Sequence, residues 1–220
     1  MDHTLIRKSK KEAHKLMSKI VVFLNLTLDG VMQAPARPDE DRRDDFEHGG
    51  WATPYATMEA AEGSMANSGT LLFGRRTYED FYSVWPNRMD GNPFTEVLNT
   101  TQKYVASTTL SEPLPWINST LLKGDIAKAV ATLKKEPGKD IVILGSGVLV
   151  QSLMRHNLID SYVLLIHPLV LGSGHRLFPD GGPVATLRLV STKTTSTGIV
   201  IMTYEPTEQT KGKTTNSDTQ

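Results

Sequence analysis

The sequence contains no cysteine among its 220 residues. That excludes disulfides, thiolate metal sites and cysteine nucleophiles, and leaves the apolar core to hold the fold by itself. It fits a reducing compartment, so a cytoplasmic location is expected. Net charge is also absent, because 24 basic residues balance 24 acidic ones. Without a basic surplus there is no electrostatic footprint for nucleic acid or an anionic membrane. No apolar run approaches the roughly 18 residues of a spanning helix. The polar start, Met1 to Lys15, lacks the apolar segment of a signal peptide. No internal repeat stands out, which argues against a solenoid. A chain of this length can bury roughly 70% of its unfolded surface, enough for one stable domain.

Apolar side chains are scarce at both ends. Residues 1–18 are expected to be a disordered extension. Within residues 1–16, Arg7, Lys8, Lys10, Lys11 and Lys15 face only Asp2 and Glu12, with little apolar surface to offset the entropy of ordering. Residues 207–220 contain no apolar side chain and read as a disordered tail. The domain is therefore expected over residues 19–206.

Within it, strands and helices alternate. Ile20 to Leu26 is a short run rich in β-branched residues and reads as a buried strand, ended by Asp29-Gly30. Met32 to Gly50 reads as a long functional loop. Further strands are predicted at Thr70 to Phe73, Lys103 to Ser107, Ser119 to Leu122 (an edge), Ile141 to Leu144 and Tyr162 to Ile166. Helices are predicted at Pro54 to Met65, Thr77 to Val84, Pro93 to Asn99, Asp125 to Lys135 and Val148 to Arg155. Leu187 to Thr195 and Ile199 to Tyr204 form a hairpin about Ser196-Thr197-Gly198. This order predicts a three-layer α/β fold, with a mostly parallel twisted sheet, helices on both faces and an antiparallel hairpin at the C-terminal end.

Ligands of such sheets bind beyond the carboxyl ends of the strands. Phe73-Gly74-Arg75-Arg76-Thr77 leaves a strand through glycine into a helix, which places free N–H groups, two guanidinium groups and a hydroxyl around one point. The set suits a pyrophosphate and a 2′-phosphate; it also reads as a capped helix with two solvated arginines. Leu144-Gly145-Ser146-Gly147-Val148-Leu149 is a second glycine turn at a helix start, without the spacing of a GxGxxG fingerprint. One dinucleotide needs two such clamps. Ser107 and Thr108 offer hydroxyls at a third strand end, as phosphate ligands or simple caps. Near the first strand lie Asn25, Asp29 and the loop Phe46-Glu47-His48-Gly49-Gly50-Trp51. A flat ring that accepts a hydride needs an apolar wall, a few hydrogen-bond partners and a proton source. Trp51 reads either as that wall or as a core anchor; Asp29, Glu47 and His48 are the candidate acids, and read equally as a turn former (Asp29) and as loop surface (Glu47 and His48).

Four segments in order carry a family resemblance: Phe23 to Gly30, Phe73 to Tyr78, Leu144 to Gly147, and His167 to Gly174. Together they resemble the dihydrofolate-reductase-like family, specifically the reductase domain of the bifunctional riboflavin-biosynthesis deaminase–reductases, over about residues 19 to 206. The resemblance implies an NADPH-dependent reductase of a small heterocycle, pyrimidine or pterin in type, that works as a homodimer. It implies cofactor contacts from Gly74, Arg75, Arg76, Thr77, Ser107, Gly145, Ser146, Gly147, Val148 and Leu149. By the same resemblance Asn25, Leu28, Asp29 and Gly30 would border substrate and nicotinamide, with Gly172 and Gly174 in a late loop near the same cleft; Trp51 joins them as the candidate wall read from the residues, and no metal is expected. The sequence departs from the family in three ways. No cysteine exists for a deaminase zinc, Glu59 and Glu62 do not align with the folate-contacting carboxylate, and the loop from Pro35 to Gly50 differs from the riboflavin enzymes. Two other readings use the same residues: a cofactor-binding protein without turnover, and a scaffold whose apolar strands Leu164 to Ile166 and Val200 to Met202 pair across a two-fold axis.

Overall fold

A computed structural model describes residues 17–57, 59, 68–89 and 91–207. Eight strands form one sheet: β1 (Ile20–Thr27), β2 (Ser68–Gly74), β3 (Gln102–Ala106), β4 (Ser119–Leu122), β5 (Asp140–Leu144), β6 (Ser161–His167), β7 (Leu187–Thr194) and β8 (Val200–Pro206). Their spatial order is β4-β3-β2-β5-β1-β6-β8-β7. All pairings from β4 across to β6 are parallel, and β8 pairs antiparallel with both β6 and β7.

Four α-helices have their full extent among the described residues: α1 (Arg75–Val84), α2 (Pro93–Thr100), α3 (Ile126–Leu133) and α4 (Gly147–Arg155). Alternation along the strands sorts them into layers. Leu72 and Ile143 point into a core shared with Val130 of α3 and Val150 and Leu153 of α4. Their neighbours Leu71, Phe73 and Val142 pack instead with Tyr78 of α1 and Leu98 of α2. Both faces of the central strands are thereby covered, which is why those strands are apolar at nearly every position.

One charged side chain belongs to this core. Lys103 on β3 is fully buried. Its Nζ donates to the carbonyls of Leu98 and Thr101, each at 2.8 Å, and Asn99 at 3.4 Å, and lies 4.6 Å from the Trp116 ring centroid. It thus supplies donors to carbonyls that the end of α2 leaves open. Burial pushes its pKa down to about 8.

Several expectations are corrected. The helix predicted over Pro54 to Met65 does not begin at Pro54: Thr53–Tyr55 is a single 3-10 turn, with Pro54 inside it, while Glu59 further along is helical. Residues 58 and 60–67 of that segment lie outside the described residues, as do 1–16 and 208–220 of the two predicted disordered ends. Ser18 and Thr207 belong to the domain: Ser18 is buried and donates to Glu136 O, and Thr207 N–H donates to Thr186 O. The strands expected to pair across a two-fold axis pair with each other, Leu164 with Met202 and Ile166 with Val200. The free edge on that side is β7, exposed along nearly its whole length. Its bulge at Leu189/Ser191 and its charged Arg188 and Lys193 are features that discourage edge pairing.

Candidate active site

The chain runs from β1 to β2, two places away, and later returns to insert β5 between them. The carboxyl ends of β1, β5 and β2 therefore lie side by side. In open α/β sheets this reversal of strand order marks the ligand crevice.

The two glycine turns predicted from sequence meet here. Gly74 ends β2 and is the N-cap of α1; Ser146 follows β5 and is the N-cap of α4. Ser146 sits in the left-handed region at φ 59°. Its Oγ accepts from the Gly74 N–H at 2.8 Å and bonds Thr77 Oγ1 at 2.9 Å, while its own N–H donates to Thr77 Oγ1 at 3.1 Å. A β-carbon on Gly145 would stand 3.1 Å from Thr77 Cγ2. The turns are welded edge to edge. The Ser146 hydroxyl is thereby committed to joining the turns, whereas Thr77 Oγ1 accepts both of its bonds and keeps its own hydroxyl proton. Neither helix start carries a side-chain cap. The first-turn N–H groups of Arg75, Arg76, Gly147 and Val148 thus lie at two adjoining helix starts, the positive ends of their dipoles. Val148 is exposed and Leu149 is buried in the core.

The two arginines differ. Arg75 pairs with Glu79 one turn on, at 3.2 Å. Arg76 is exposed and, among the described residues, has no partner. A cation in the first turn opposes the helix dipole, so Arg76 contributes nothing evident to the fold. Ser107, after β3, accepts from the N–H groups of Thr109 and Leu110, which leaves only its hydroxyl proton for a ligand. Met32 lies over the second turn; a β-carbon on Gly147 would fall 2.5 Å from its Sδ.

Asp29 has a different place from the one expected. It accepts from Thr27 Oγ1 at 2.6 Å, Gly172 N–H at 2.9 Å and Leu171 N–H at 3.2 Å, with Arg176 at 3.5 Å. Desolvation works to raise its pKa, but the bonds from Thr27, Gly172 and Leu171 outweigh it and hold the group at about 2. A carboxylate so occupied is no proton donor near neutral pH, so the catalytic assignment of Asp29 is withdrawn. It fastens the 171–176 loop to the end of β1, where Gly30 turns at φ 80° and Leu28 is left exposed. Gly174, at φ 113°, is required by contact: a β-carbon there would lie 2.6 Å from Phe46 and 2.8 Å from Val31.

Glu47 and His48 are both exposed, and His48 meets Phe46 edge-on at 5.7 Å. Trp51 is buried, and its Nε1 donates to Gln33 O at 2.7 Å. The ring of Trp51 meets the His167 ring edge-on at 5.1 Å, and Tyr55 meets it at 5.5 Å. His167, at the carboxyl end of β6, lies in one of the segments that carried the resemblance, yet nothing in the sequence gave it a role. Its Nε2 lies 2.9 Å from Asn25 Oδ1, its Nδ1 is buried without a partner, and burial pushes its pKa down to about 4.

Among the described residues no cluster of side chains suits a metal ion, and no helix is long and apolar enough to cross a membrane. The sheet order, the inserted β5 and the crevice above it define the dihydrofolate-reductase-like α/β class. The family model described as the RibD C-terminal domain matches residues 18–201, and the chain belongs to that family. It is 33% identical to the uncharacterized protein YyaP of Bacillus subtilis over 138 residues, which is 61% of this chain and 72% of the relative. Among solved structures, it is similar to a pyrimidine reductase-like protein from Corynebacterium diphtheriae, with TM-score 0.60, 12% identity, and 89% and 94% of the two chains covered. It is also similar to dihydrofolate reductase from Enterococcus faecalis complexed with NADP(H), with TM-score 0.55, 15% identity, and 86% and 96% covered.

Proposed function

We propose that this protein is an NADPH-dependent reductase of a small heterocycle, pyrimidine or pterin in type, acting as a cytoplasmic homodimer. The observation that carries the reading is the pair of welded, uncapped helix starts beside the guanidinium of Arg76, which has no partner among the described residues. Two helix N-termini side by side fit a diphosphate, and a free arginine fits the further phosphate that distinguishes NADPH from NADH. The N–H groups of Arg75, Arg76, Gly147 and Val148 would hold the pyrophosphate, with Arg76 and the Ser107 hydroxyl toward the adenosine phosphate. When bound, NADPH supplies the hydride. Asn25 near the end of β1, exposed Leu28 just beyond it and Met32 against Gly147 are the groups that would border a flat ring above β1 and β5. Glu47 and His48, on the loop leading to Trp51, are the remaining titratable groups for proton delivery.

The test is a titration of NADPH and NADH into the purified protein, followed by tryptophan fluorescence. The expected result is micromolar NADPH binding with NADH at least ~10-fold weaker, a difference of about 1.4 kcal/mol. Arg76→Ala is expected to abolish that preference, and Arg75→Ala to change it little. Binding of neither nucleotide would remove the reductase reading.

A further inference from the structure

We infer that His167 is a positioning residue that fixes the Asn25 carboxamide with its N–H₂ toward the crevice, so that the ring bound there must present an oxo acceptor, not an amino group, to Asn25. The inference rests on the reductase reading for the presence of a ring, and on the following geometry for its orientation. In the parallel register, Asn25 stands opposite Leu165 and Thr27 opposite His167. Asn25 and His167 therefore share one face of adjacent strands, near their carboxyl ends.

Oδ1 of Asn25 lies 2.9 Å from Nε2 of His167. A carboxamide oxygen only accepts, so Nε2 carries the proton and donates. The alternative would turn the amide over and place the imidazole proton on Nδ1. That atom is buried with no partner. An orphaned buried N–H is rarer in proteins than an unsatisfied acceptor, so the bare lone pair is the stable arrangement. The Trp51 and Tyr55 rings pack edge-on against the imidazole, which restricts its rotation. The remaining alternative, an imidazolium, would put an unpaired Nδ1–H donor and a charge in the same dry site.

With its oxygen engaged, Asn25 offers its amide nitrogen. Among the described residues nothing accepts from it, and it is not sealed from solvent as His167 Nδ1 is. Asn25 is half-buried near the carboxyl end of β1, the strand that pairs with β5 and so adjoins the turn that would hold the cofactor. A fixed donor there matches a ring carbonyl and opposes a ring amine, which would leave two donors face to face.

Two measurements test this. In protein with ¹⁵N-labelled histidine, two-bond ¹H–¹⁵N correlation at pH 7 reads the tautomer directly. His167 is expected to be neutral, with Nε2 protonated and Nδ1 bare, whether or not any ligand binds. In Asn25→Asp both nitrogens are expected to be protonated, because a carboxylate then faces the ring. A wild-type Nδ1–H tautomer overturns the inference. The second measurement titrates uracil and 2,4-diaminopyrimidine into the NADPH-bound protein, followed by fluorescence of the nearby Trp51. Uracil is expected to bind about tenfold more tightly. His167→Phe is expected to bring that ratio near one, and His167→Gln, which can place an N–H where Nε2 stands, to restore it. A ratio unchanged in His167→Phe overturns the inference, and so does failure of both rings to bind a protein that holds NADPH. Failure to bind NADPH at all overturns the reductase reading instead, and the tautomer then decides the Asn25 orientation alone.

Discussion

Lys103 gives the sharpest test of how the core is balanced. Its pKa falls from 10.5 to about 8 on burial. Between those values the unfolded chain binds a proton that the folded protein does not, so stability rises with pH across the window. At pH 7.5 the buried ammonium costs about 3 kcal/mol relative to an unfolded lysine, and at pH 10 about 1 kcal/mol. Replacing Lys103 by Met keeps the length and removes that cost. It also strips donors from the carbonyls of Leu98, Asn99 and Thr101. Of these, the bond to Leu98 is buried, and a buried orphaned acceptor costs roughly 1–3 kcal/mol. The two effects nearly cancel near neutrality, so Lys103→Met is expected to be close to wild type at pH 7.5. By pH 10 the wild type has regained its lost stability and the variant has not. The gap is expected to widen by about 2 kcal/mol between the two conditions, read from urea midpoints at constant m-value. Taking the difference between two proteins at each pH cancels the other lysines and tyrosines. A gap that stays constant would refute the reasoning. It would mean that the carbonyls and the Trp116 ring hold the ammonium charged through pH 10.

Three other outcomes follow from the site. Asp29, held at about 2, contributes stability that is complete above about pH 4 and lost as pH falls toward 2. Asp29→Asn is expected to cost about 2 kcal/mol at pH 7 and to flatten the acid limb of the denaturation profile; an unchanged limb would place the carboxylate's anchoring elsewhere. Gly172 and Gly174 both have positive φ, but only Gly174 is crowded. Gly172→Ala is expected to cost about 1 kcal/mol and Gly174→Ala about 3 kcal/mol in thermal unfolding, and equal losses would remove the steric argument. Ser146→Ala removes the acceptor of the Gly74 N–H and one of the two bonds to Thr77 Oγ1, leaving the backbone N–H bond. A stability loss of roughly 1–3 kcal/mol is expected, with NADPH titration showing about tenfold weaker binding if the weld positions both helix starts.

Much of the fold was legible because strand and helix periods are local. Each β-branched run from Ile20 onward, and the hairpin about Thr197-Gly198, follows from neighbouring residues. The glycine turns were legible as places where a backbone must bend. What they do with their hydroxyls was not, because Ser146 and Thr77 are 69 residues apart and only the insertion of β5 brings them together. Asp29 looked like an acid because sequence shows a carboxylate and not its donors, which arrive from Leu171 and Gly172. Lys103 entered only as the first residue of a predicted strand, and His167 as part of a segment. Both acquire roles only from the carbonyls and rings packed on them. A buried cation at an inward strand position is the one signal that was present and unused, since alternation from Tyr104 and Val105 already turned Lys103 inward.

The insertion of β5 also governs how binding and folding are linked. β1 and β2 share no hydrogen bonds; each pairs with β5, which comes last of the three in the chain. The seam between β2 and β5 is the one the Gly74–Ser146 bond closes at its upper end. An anion seated on both helix starts would grip two elements that meet only after this third strand is in place. Such a ligand recognises the assembled sheet and not a locally ordered loop. Its binding energy would then appear undiminished in the global unfolding equilibrium, as RT ln(1 + [L]/Kd). Nucleotide titration would raise the unfolding midpoint of the whole domain, and slow hydrogen exchange in β1 as much as in the turns it touches.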